Sequence, residues 1–406
     1  MSLTERLEEV GHEVFVVIQR APLPLLLLAT VTFLLGAISL SFLALFIAAP
    51  IPRPALPSEK TFKSLTSDGK VTPSQSLPCW LDRWRASKQL AARKGGSTED
   101  NTIEEAELFM SLVVPAYNED ERLGEMLQEA VDYLTSVYSE STSGVAVAEN
   151  GTDKKHTSNG SAPQGLPASR TAGWEILVVS DGSTDHTVDT ALSFARSYKP
   201  TNTKSKGKQG SPLPPDSIRV ISLEHNRGKG GATIHGMRHV RGRYAVFADA
   251  DGASRFEDLG KLVHECQRVE DTDGRGVAVG SRAHLVGSEA VVKRSFLRNL
   301  LMHSFHLLLR LLTPPATAAI KDTQCGFKLF SRASLPYIIP YMHSEGWIFD
   351  VEMLMLAESA GIPVAEVAVG WKEVKGSKLN VLWDSLGMAW GLAILRGAWG
   401  FGVYRR

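Results

Sequence analysis

Residues 244–256 read YAVFADADGASRF, and the rest of the sequence is interpreted around them. Its apolar part, residues 244–248, has the composition of a buried β-strand and is followed by Asp249, Asp251 and Gly252. Aspartate disfavours strand structure, and alternate residues of an extended chain point to the same side. The two carboxylates can therefore bind one Mg²⁺ or Mn²⁺ that also holds a diphosphate. The alternative is a polar turn after the strand.

The composition limits the class of protein. The chain has 406 residues, 43% of them hydrophobic, which is enough for one large domain with appendages. The chain has 44 basic residues (Lys and Arg) and 44 acidic residues (Asp and Glu), so its charge balance gives no indication of nucleic-acid binding. Cys79, Cys266 and Cys325 are far apart in sequence, which argues against a disulfide framework or a zinc site and indicates a reducing compartment.

Residues 23–49 contain no charged side chain and are long enough to cross a bilayer as a helix. The run is too long for the apolar part of a signal peptide, and the tail before it, residues 1–22, contains several acidic residues. We therefore predict a retained membrane anchor rather than a cleaved signal. The excess of basic residues after the anchor predicts a cytosolic catalytic domain, so the sequons at Asn150 and Asn159 are interpreted as chance matches.

Beyond a predicted polar linker, residues 50–106, strand-like and helical patterns alternate. The predicted strands are residues 108–114, 175–179, 218–223, 244–248 and 277–280, and the predicted helices are 119–138, 184–197, 230–240 and 256–269. Such alternation is typical of a mostly parallel sheet covered by helices. This catalytic domain, residues 107–370, is predicted to carry two disordered insertions, residues 139–172 and 200–216, because both are poor in apolar residues.

Ligands of such sheets bind at the carboxyl ends of the strands, and polar or glycine-rich sequences follow all five predicted strands. After the first strand, Pro115 and Tyr117 can form a wall for a flat base, and Glu119 can accept hydrogen bonds from the base or the ribose. After the second strand, Asp181 can bind a uracil-type edge. Gly182 and Ser183 then allow close backbone approach, unless Asp181 and Ser183 form only a turn and a helix cap.

The third strand is followed by HNRGKGGA, residues 225–232, in which Arg227 or Lys229 can neutralise a phosphate. The spacing is not that of a P-loop, and an ordinary basic turn before a helix is the alternative.

Four of these motifs, in this order, resemble glycosyltransferase family 2: VPAYNE (114–119), SDGSTD (180–185), NRGKGG (226–231) and DAD (249–251). Two later runs, DTQCGFKLF (322–330) and GWIFDVEML (346–354), resemble the branch of that family that glycosylates polyprenyl phosphates. The N-terminal anchor and the motif FADADGASRF are most similar to those of the eukaryotic members that glucosylate dolichyl phosphate. The resemblance covers residues 108–369 apart from the two insertions, which match no element of the family.

The resemblance implies a GT-A, Rossmann-like α/β fold and an inverting transfer of glucose from UDP-glucose to dolichyl phosphate. It further implies a place in the endoplasmic reticulum membrane, with one span, and a role in N-glycan precursor assembly. The alternatives are a dolichyl-phosphate mannosyltransferase using GDP-mannose, another lipid-phosphate glycosyltransferase, a processive polysaccharide synthase and a non-enzymatic nucleotide-sugar-binding scaffold.

The resemblance also assigns roles to individual residues. It places the metal on Asp249, Asp251 and Gln324, and the diphosphate at Arg282. The nucleotide-sugar site that it implies comprises Pro115, Ala116, Tyr117, Glu119, Asp181, Gly182, Ser183, Lys229 and Ala250.

The acceptor should need no general base, because a phosphate monoester is already mostly a dianion at neutral pH. We therefore predict that Asp350 and Glu352 orient the sugar or merely begin a helix. The predicted ligands of the acceptor phosphate are Lys293, Arg294 and Arg298, with Lys328 as a weaker candidate. Residues 295–312 are predicted to form a helix at the membrane interface, and a soluble core helix is the alternative. The tryptophan-containing C-terminal segment, residues 371–406, is predicted to lie at the interface or to re-enter the membrane, and a second span is the alternative.

Overall fold

The computed structural model describes residues 21–95, 101–139, 172–201, 213–285, 304–305, 307–372, 374 and 381–405. These residues belong to two compact units, residues 51–392 and a smaller unit of residues up to 50 together with 393–406. Most of both predicted insertions lies outside the described residues, as do Lys293, Arg294 and Arg298.

The structure alternates strands and helices through most of the larger unit. The strands are β1 (Thr61–Phe62), β2 (Gln75–Ser76), β3 (Leu108–Ala116), β4 (Trp174–Asp181), β5 (Ile218–Leu223), β6 (Gly242–Ala248), β7 (Val277–Ser281), β8 (Phe327–Ser331) and β9 (Val364–Ala368). The α-helices are α1 (Leu23–Ala48), α2 (Trp80–Arg93), α3 (Leu123–Tyr138), α4 (Thr187–Ser197), α5 (Lys229–Met237), α6 (Leu259–Val269), α7 (Pro315–Ala319), α8 (Leu335–Ile338), α9 (Phe349–Ser359) and α10 (Val381–Gly400). Short 3-10 turns occupy Ser58–Lys60, Phe256–Asp258, Ala283–Leu285, Arg332–Ser334 and Ile339–Tyr341.

A seven-stranded sheet, in the order β5-β4-β3-β6-β8-β7-β9, forms the centre of the described part of this unit. β3 pairs in parallel with β4 and β6, β4 pairs in parallel with β5, and β7 pairs in parallel with β9. β8 is antiparallel to both of its neighbours, β6 and β7. The carboxyl ends of β3 to β7 therefore lie at one edge of the sheet, and β8 begins at that same edge. The prediction of a mostly parallel α/β sheet is confirmed.

The strands are buried because helices cover the sheet, as their continuous apolar sequences require. Leu112, Val178 and Val246 are fully buried in the core. In α5, a Cβ added at Gly236 would overlap the side chain of Val113, so this glycine lets the helix lie close against β3. The helix thereby holds its first residue, Lys229, at the edge where the parallel strands end.

The stretch predicted to be a linker, residues 50–106, contains α2 and the β1–β2 hairpin, and residues from 51 onward belong to the larger unit. Trp80 Nε1 donates a hydrogen bond to the carbonyl of Met237 at 2.7 Å. The carboxylate of Glu59 is buried and accepts from Arg227 Nη2 at 2.6 Å. These contacts could not be predicted from the sequence, because the two residues of each contact are far apart along the chain.

In the smaller unit, α1 is a 26-residue helix, and within the described residues it is the one helix long and apolar enough to cross a membrane. Tyr404 Oη donates a hydrogen bond to the carbonyl of Pro50 at 2.7 Å. In the larger unit, the indoles of Trp383 and Trp390, both in α10, are exposed. The interfacial placement of the C-terminal segment and of residues 295–312 stays a prediction.

Candidate active site

The carboxylate of Asp249 follows the last residue of β6 and has a cation beside it. Its Oδ1 atom lies 2.6 Å from Nζ of Lys229, at the start of α5. Burial lowers the pKa of Lys229, but the carboxylates of Asp249, Asp350 and Asp251 outweigh that effect and raise it. The Lys229 side chain is therefore a fixed positive charge at the edge of the sheet. Its ammonium group also lies 5.9 Å from the centre of the Trp347 ring.

The second carboxylate of the predicted pair, Asp251, lies in a tight turn. Its Oδ1 accepts a hydrogen bond from the Ala253 N–H at 3.0 Å, and Gly252 between them has a φ of 67°. Burial raises the pKa of Asp251, and the neighbouring charge of Asp249 raises it further. Two carboxylates in this environment disfavour each other's ionised form, and a bound cation relieves that cost.

Gly326 makes room for Asp249, and the sequence reasoning did not single it out. Phe327 begins β8 opposite Ala248, which brings Gly326 against the residue after β6. A Cβ added at Gly326 would overlap the carboxylate of Asp249. The only signal in the sequence was its position in the run DTQCGFKLF.

The loops after β3 and β4 are joined by side chains that accept from the backbone. The Asn118 N–H donates to Ser183 Oγ at 3.1 Å, and the Glu119 N–H donates to Thr187 Oγ1 at 2.7 Å. Asn118 has a φ of 53°, in the left-handed region that Asn tolerates better than most residues. Because backbone groups at the tip of the first loop are bonded to the second loop, the two loops form one rigid wall of the site.

The predicted nucleotide ligands lie along this wall, although two of them bind protein groups. Both carboxylate oxygens of Asp181 accept backbone N–H groups, from Arg227 at 2.7 Å and from Gly228 at 2.9 Å. Burial raises the pKa of Asp181 to about 6, against the opposing effect of these hydrogen bonds. Glu119 accepts two hydrogen bonds from the Arg122 guanidinium, at 2.8 and 2.6 Å.

The remaining members of the predicted nucleotide set differ in exposure. Pro115 and Ala116 are buried in β3, so of the predicted aromatic wall only Tyr117, which is 40% exposed, can present its ring to a ligand. Gly182 packs against the backbone of Asn226, and Ala250 is buried.

The guanidinium of Arg227, predicted as an alternative phosphate ligand, is buried against the segment that follows the anchor. It binds the Glu59 carboxylate and donates to the carbonyls of Arg53 at 2.6 Å and Pro54 at 2.9 Å. Lys229 is therefore the basic side chain of this loop that faces the aspartate pair.

Two residues assigned through the resemblance, Arg282 and Gln324, have protein partners in the structure. Arg282 binds Asp322 through two hydrogen bonds, from Nε at 2.7 Å and from Nη2 at 3.0 Å. Burial lowers the pKa of Arg282, but Asp322 outweighs that effect and raises it, so the guanidinium keeps its charge. The amide nitrogen of Gln324 lies 2.7 Å from Met388 Sδ, so the metal role of Gln324 stays a prediction.

The acidic residues of α9 serve the protein fold. Asp350 binds the ammonium group of Lys328, and both side chains are buried. Glu352 is fully buried and accepts the N–H groups of His343 at 3.0 Å and Ser344 at 2.7 Å. Both acids lie in the first turn of α9, which agrees with the prediction that they merely begin a helix. The structure does not support Lys328 as a ligand of the acceptor phosphate, because its ammonium group is buried and paired with Asp350.

The donor set at this edge fits Mg²⁺ or Mn²⁺. No cluster of three or more His, Cys, Asp or Glu side chains that could hold a metal occurs in the described ranges, so a protein-only cage is absent there. Mg²⁺ characteristically binds one or two carboxylates and takes its other ligands from water and substrate phosphates. Asp249 and Asp251 supply such a pair. Burial and then the charge of Asp249 raise the pKa of Asp251, and a bound cation would favour its ionised form.

Comparison with known proteins gives matches over most of the chain. Residues 168–335 match glycosyl transferase family 2. The chain is 37% identical to the dolichyl-phosphate beta-glucosyltransferase of Saccharomyces cerevisiae, over 92% of this chain and 94% of the yeast protein. Identity is 41% to the Drosophila melanogaster enzyme of that name, over 72% and 77% of the two chains, and 38% to the human one, over 71% and 77%.

The solved structures give a weaker similarity. A crystal structure of glucosyl-3-phosphoglycerate synthase from Mycobacterium tuberculosis with uridine diphosphate aligns at a TM-score of 0.44 and 17% identity, over 71% of this chain and 80% of that one. This level is too low to transfer residues or ligands to the present chain.

Proposed function

Because this chain belongs to the dolichyl-phosphate β-glucosyltransferases of glycosyltransferase family 2, we propose that it transfers glucose from UDP-glucose to dolichyl phosphate. The observation that carries the proposal is the identity to the yeast enzyme over nearly the whole of both chains. The paired carboxylates at the end of β6 support it, since a nucleotide diphosphate needs a cation there. A β-linked product from the α-linked donor requires inversion at the anomeric carbon.

In this proposal Asp249 and Asp251 hold the divalent metal, and Lys229 remains beside them as a second positive charge. A bound metal would offset the negative charge that develops on the departing UDP. Tyr117 and the joined loops after β3 and β4 bind the nucleoside, and the Arg282 guanidinium faces the diphosphate. Asp181 acts mainly by fixing the backbone of the loop that carries Lys229, because both of its oxygens bind that loop.

The acceptor reacts without a general base. One phosphate oxygen of dolichyl phosphate forms a bond to the anomeric carbon, and the bond from that carbon to UDP breaks, with the electron pair leaving on UDP. No proton has to be removed, since the phosphate is already mostly a dianion at neutral pH. The buried partners of Asp350 and Glu352 agree with this mechanism, because neither carboxylate is available as a base.

We further propose that α1 anchors the chain in the endoplasmic reticulum membrane with the catalytic domain in the cytosol. The helix has the length and apolar composition of a span. Arg53, Lys60, Lys63 and Lys70 follow it, and basic residues favour the cytosolic side.

The test uses membranes that contain the protein, labelled UDP-glucose and dolichyl phosphate, with and without Mn²⁺ or Mg²⁺. We expect a glucolipid whose formation requires the metal, and an Asp251→Asn variant that loses at least about 100-fold in turnover. GDP-mannose serves as the competing donor. Preferential transfer of mannose would replace glucose with the mannosyl alternative, and absence of product in every condition would reject the proposal.

A further inference from the structure

A cavity of about 390 Å³ in the larger unit is lined by basic side chains that the proposed transfer does not use. Its lining includes Arg53, Lys60, Arg85, Arg238, His235 and His239. Asp82 is the acidic residue of the lining, and its carboxylate lies 2.9 Å from Nζ of Lys60. The volume is at the lower end of the range of about 300–1,000 Å³ that is typical of small-molecule sites.

Two of these cations, Arg85 and Arg238, are not ion-paired within the described part of the chain, although the carboxylate of Asp82 in the same lining attracts both from a greater distance. Among the same described residues, Nε of Arg238 is buried without a hydrogen-bond partner. Burial and the nearby charge of Arg85 lower the pKa of Arg238. Arg238 is half-buried and Arg85 is exposed beside it. Since their like charges repel each other, an anion between them would stabilise the arrangement.

His235 also lines the cavity and carries an unpaired ring nitrogen. Its Nε2 lies 2.9 Å from the carbonyl oxygen of Glu59, so Nε2 carries the proton and Nδ1 is a bare acceptor. Nδ1 is buried without a partner, and the side chain is 2% exposed. Burial and Arg238 lower the pKa of His235 to about 4, so the ring is neutral at pH 7.

The unpaired groups of Arg238 and His235 indicate which kind of ligand the cavity can bind. Arg238 needs an anionic oxygen, and His235 Nδ1 needs a hydroxyl that donates. Inorganic phosphate carries both at neutral pH, as P–O⁻ and P–OH, and a phosphomonoester, which is mostly a dianion there, carries both when it binds as its monoanion. A carboxylate or sulfate at neutral pH has no such proton, so it would leave the histidine unpaired.

We propose that this cavity binds a phosphate group, supplied either by inorganic phosphate or by the phosphomonoester headgroup of an anionic lipid. The lining includes Pro52 to Ala55, which follow the last residue of α1, Ala48, after only a few positions in the sequence. A bound phosphate would join three parts of the chain: this segment, α2 through Arg85, and the residue that follows α5, Arg238. The site is separate from the aspartate pair, and the proposal does not depend on the transfer reaction.

The experiment measures thermal unfolding of the full chain in nanodiscs. One arm titrates inorganic phosphate at constant ionic strength into phosphatidylcholine nanodiscs. The other arm replaces part of the phosphatidylcholine with phosphatidic acid. We expect at least one arm to raise the melting temperature. A response to phosphate shows that the free anion suffices, and a response to phosphatidic acid alone identifies the lipid headgroup.

Three variants locate the response. Arg85→Gln and Arg238→Gln should each weaken the apparent affinity by about tenfold or more, the effect of losing one hydrogen bond to a charged group. Arg93→Gln is the matched control, because Arg93 is an exposed arginine of the same helix as Arg85 and does not line the cavity. It should respond as the unaltered chain does.

Two outcomes would overturn the proposal. One is an unaltered chain that responds in neither arm. The other is an equal response in Arg85→Gln, Arg238→Gln and the control, which would place the phosphate elsewhere, including at the aspartate pair. If Arg238→Gln does not fold, Arg85→Gln decides the question, because its side chain is exposed and its loss leaves the core intact.

Discussion

Nζ of Lys229 lies 2.6 Å from Oδ1 of Asp249, so the first residue of α5 supplies a cation to the carboxylate at the end of β6. This contact joins the loop after β5 to the proposed metal site. A metal ion and the ammonium group compete for the same carboxylate, and a bound diphosphate gives Lys229 a second anion to face. The competition can be measured.

Lys229→Gln should bind Mn²⁺ more tightly, by about tenfold, because a positive charge beside the metal site is removed. The same variant should turn over more slowly at saturating metal, since the diphosphate loses one of its cations. Mn²⁺ binding measured by electron paramagnetic resonance and initial rates would show the two effects with opposite signs. Lys261→Gln is the control, because Lys261 is exposed and pairs with Asp258 instead. Weaker Mn²⁺ binding in Lys229→Gln would contradict the competition.

Gly326→Ala should impair the site through Asp249. The new Cβ would overlap the Asp249 carboxylate, which must then leave its position at the end of β6. We expect turnover to fall at least about 100-fold and the apparent metal affinity to fall with it. Gly124→Ala, in α3, is the control because a Cβ there has nothing within 4 Å, and it should retain activity. Normal metal affinity in Gly326→Ala would show that the carboxylate has another acceptable position.

Hydrophobic patterning was sufficient for five strands of the seven-stranded sheet, β3 to β7, and insufficient for β8 and β9. β3 to β7 were predicted because each is an apolar run between turn residues. β8 was missed because its sequence, FKLFS, contains Lys328, whose charge is paired with Asp350 only in the folded chain. Its place between β6 and β7 depends on pairing between segments far apart in sequence, as Ala248 with Phe327 shows.

The same limit applies to the site. Polar residues at the strand ends placed Asp249, Asp251, Asp181 and Lys229 at one edge of the sheet, as the parallel order requires. Sequence could not reveal that Asp181 binds the backbone of the Lys229 loop. The sequence shows which side chains are acidic or basic, but it does not show which group each of them binds in the folded chain.

The polar segment after the anchor could not be recognised as part of the domain, because its composition is that of a linker. Its order comes from partners elsewhere, above all the pair of Glu59 with Arg227.

Glu352→Gln tests whether a carboxylate base takes part. Both N–H groups, of His343 and Ser344, donate to Oε2, which the single oxygen of glutamine can replace. The variant loses the buried charge and the contact of Oε1 with His343 Nδ1 at 3.2 Å, so it should lose about 1–3 kcal/mol of stability. Turnover per folded molecule should stay within about threefold. A general base would instead contribute about 100- to 10,000-fold.

The control for that variant comes from the same helix. Glu358 accepts the N–H groups of Ala316 at 2.8 Å and Thr317 at 2.6 Å, so Glu358→Gln should lose similar stability. Rates normalised to the folded fraction in both variants would separate structure from chemistry. A large loss of turnover confined to Glu352→Gln would identify this residue as the base.

Asp181 should make stability fall as pH rises through the weakly acidic range. Its pKa is raised from an ordinary value of 3.8 to about 6, chiefly by burial, so the folded chain binds more protons than the unfolded chain between these values. Its contribution is fully present below about pH 4 and is lost as pH rises through about 6. The stability of the unaltered chain relative to Asp181→Asn should decrease across this window, by up to about 3 kcal/mol. Denaturant unfolding at several pH values would measure the difference.

Asp185→Asn is a control of opposite sign. Hydrogen bonds, first those from Thr187, outweigh burial and lower the pKa of Asp185, so the contribution of Asp185 to stability is lost only as pH falls. A relative stability that is constant from pH 4 to 7 for Asp181→Asn would mean that Asp181 stays ionised in the fold.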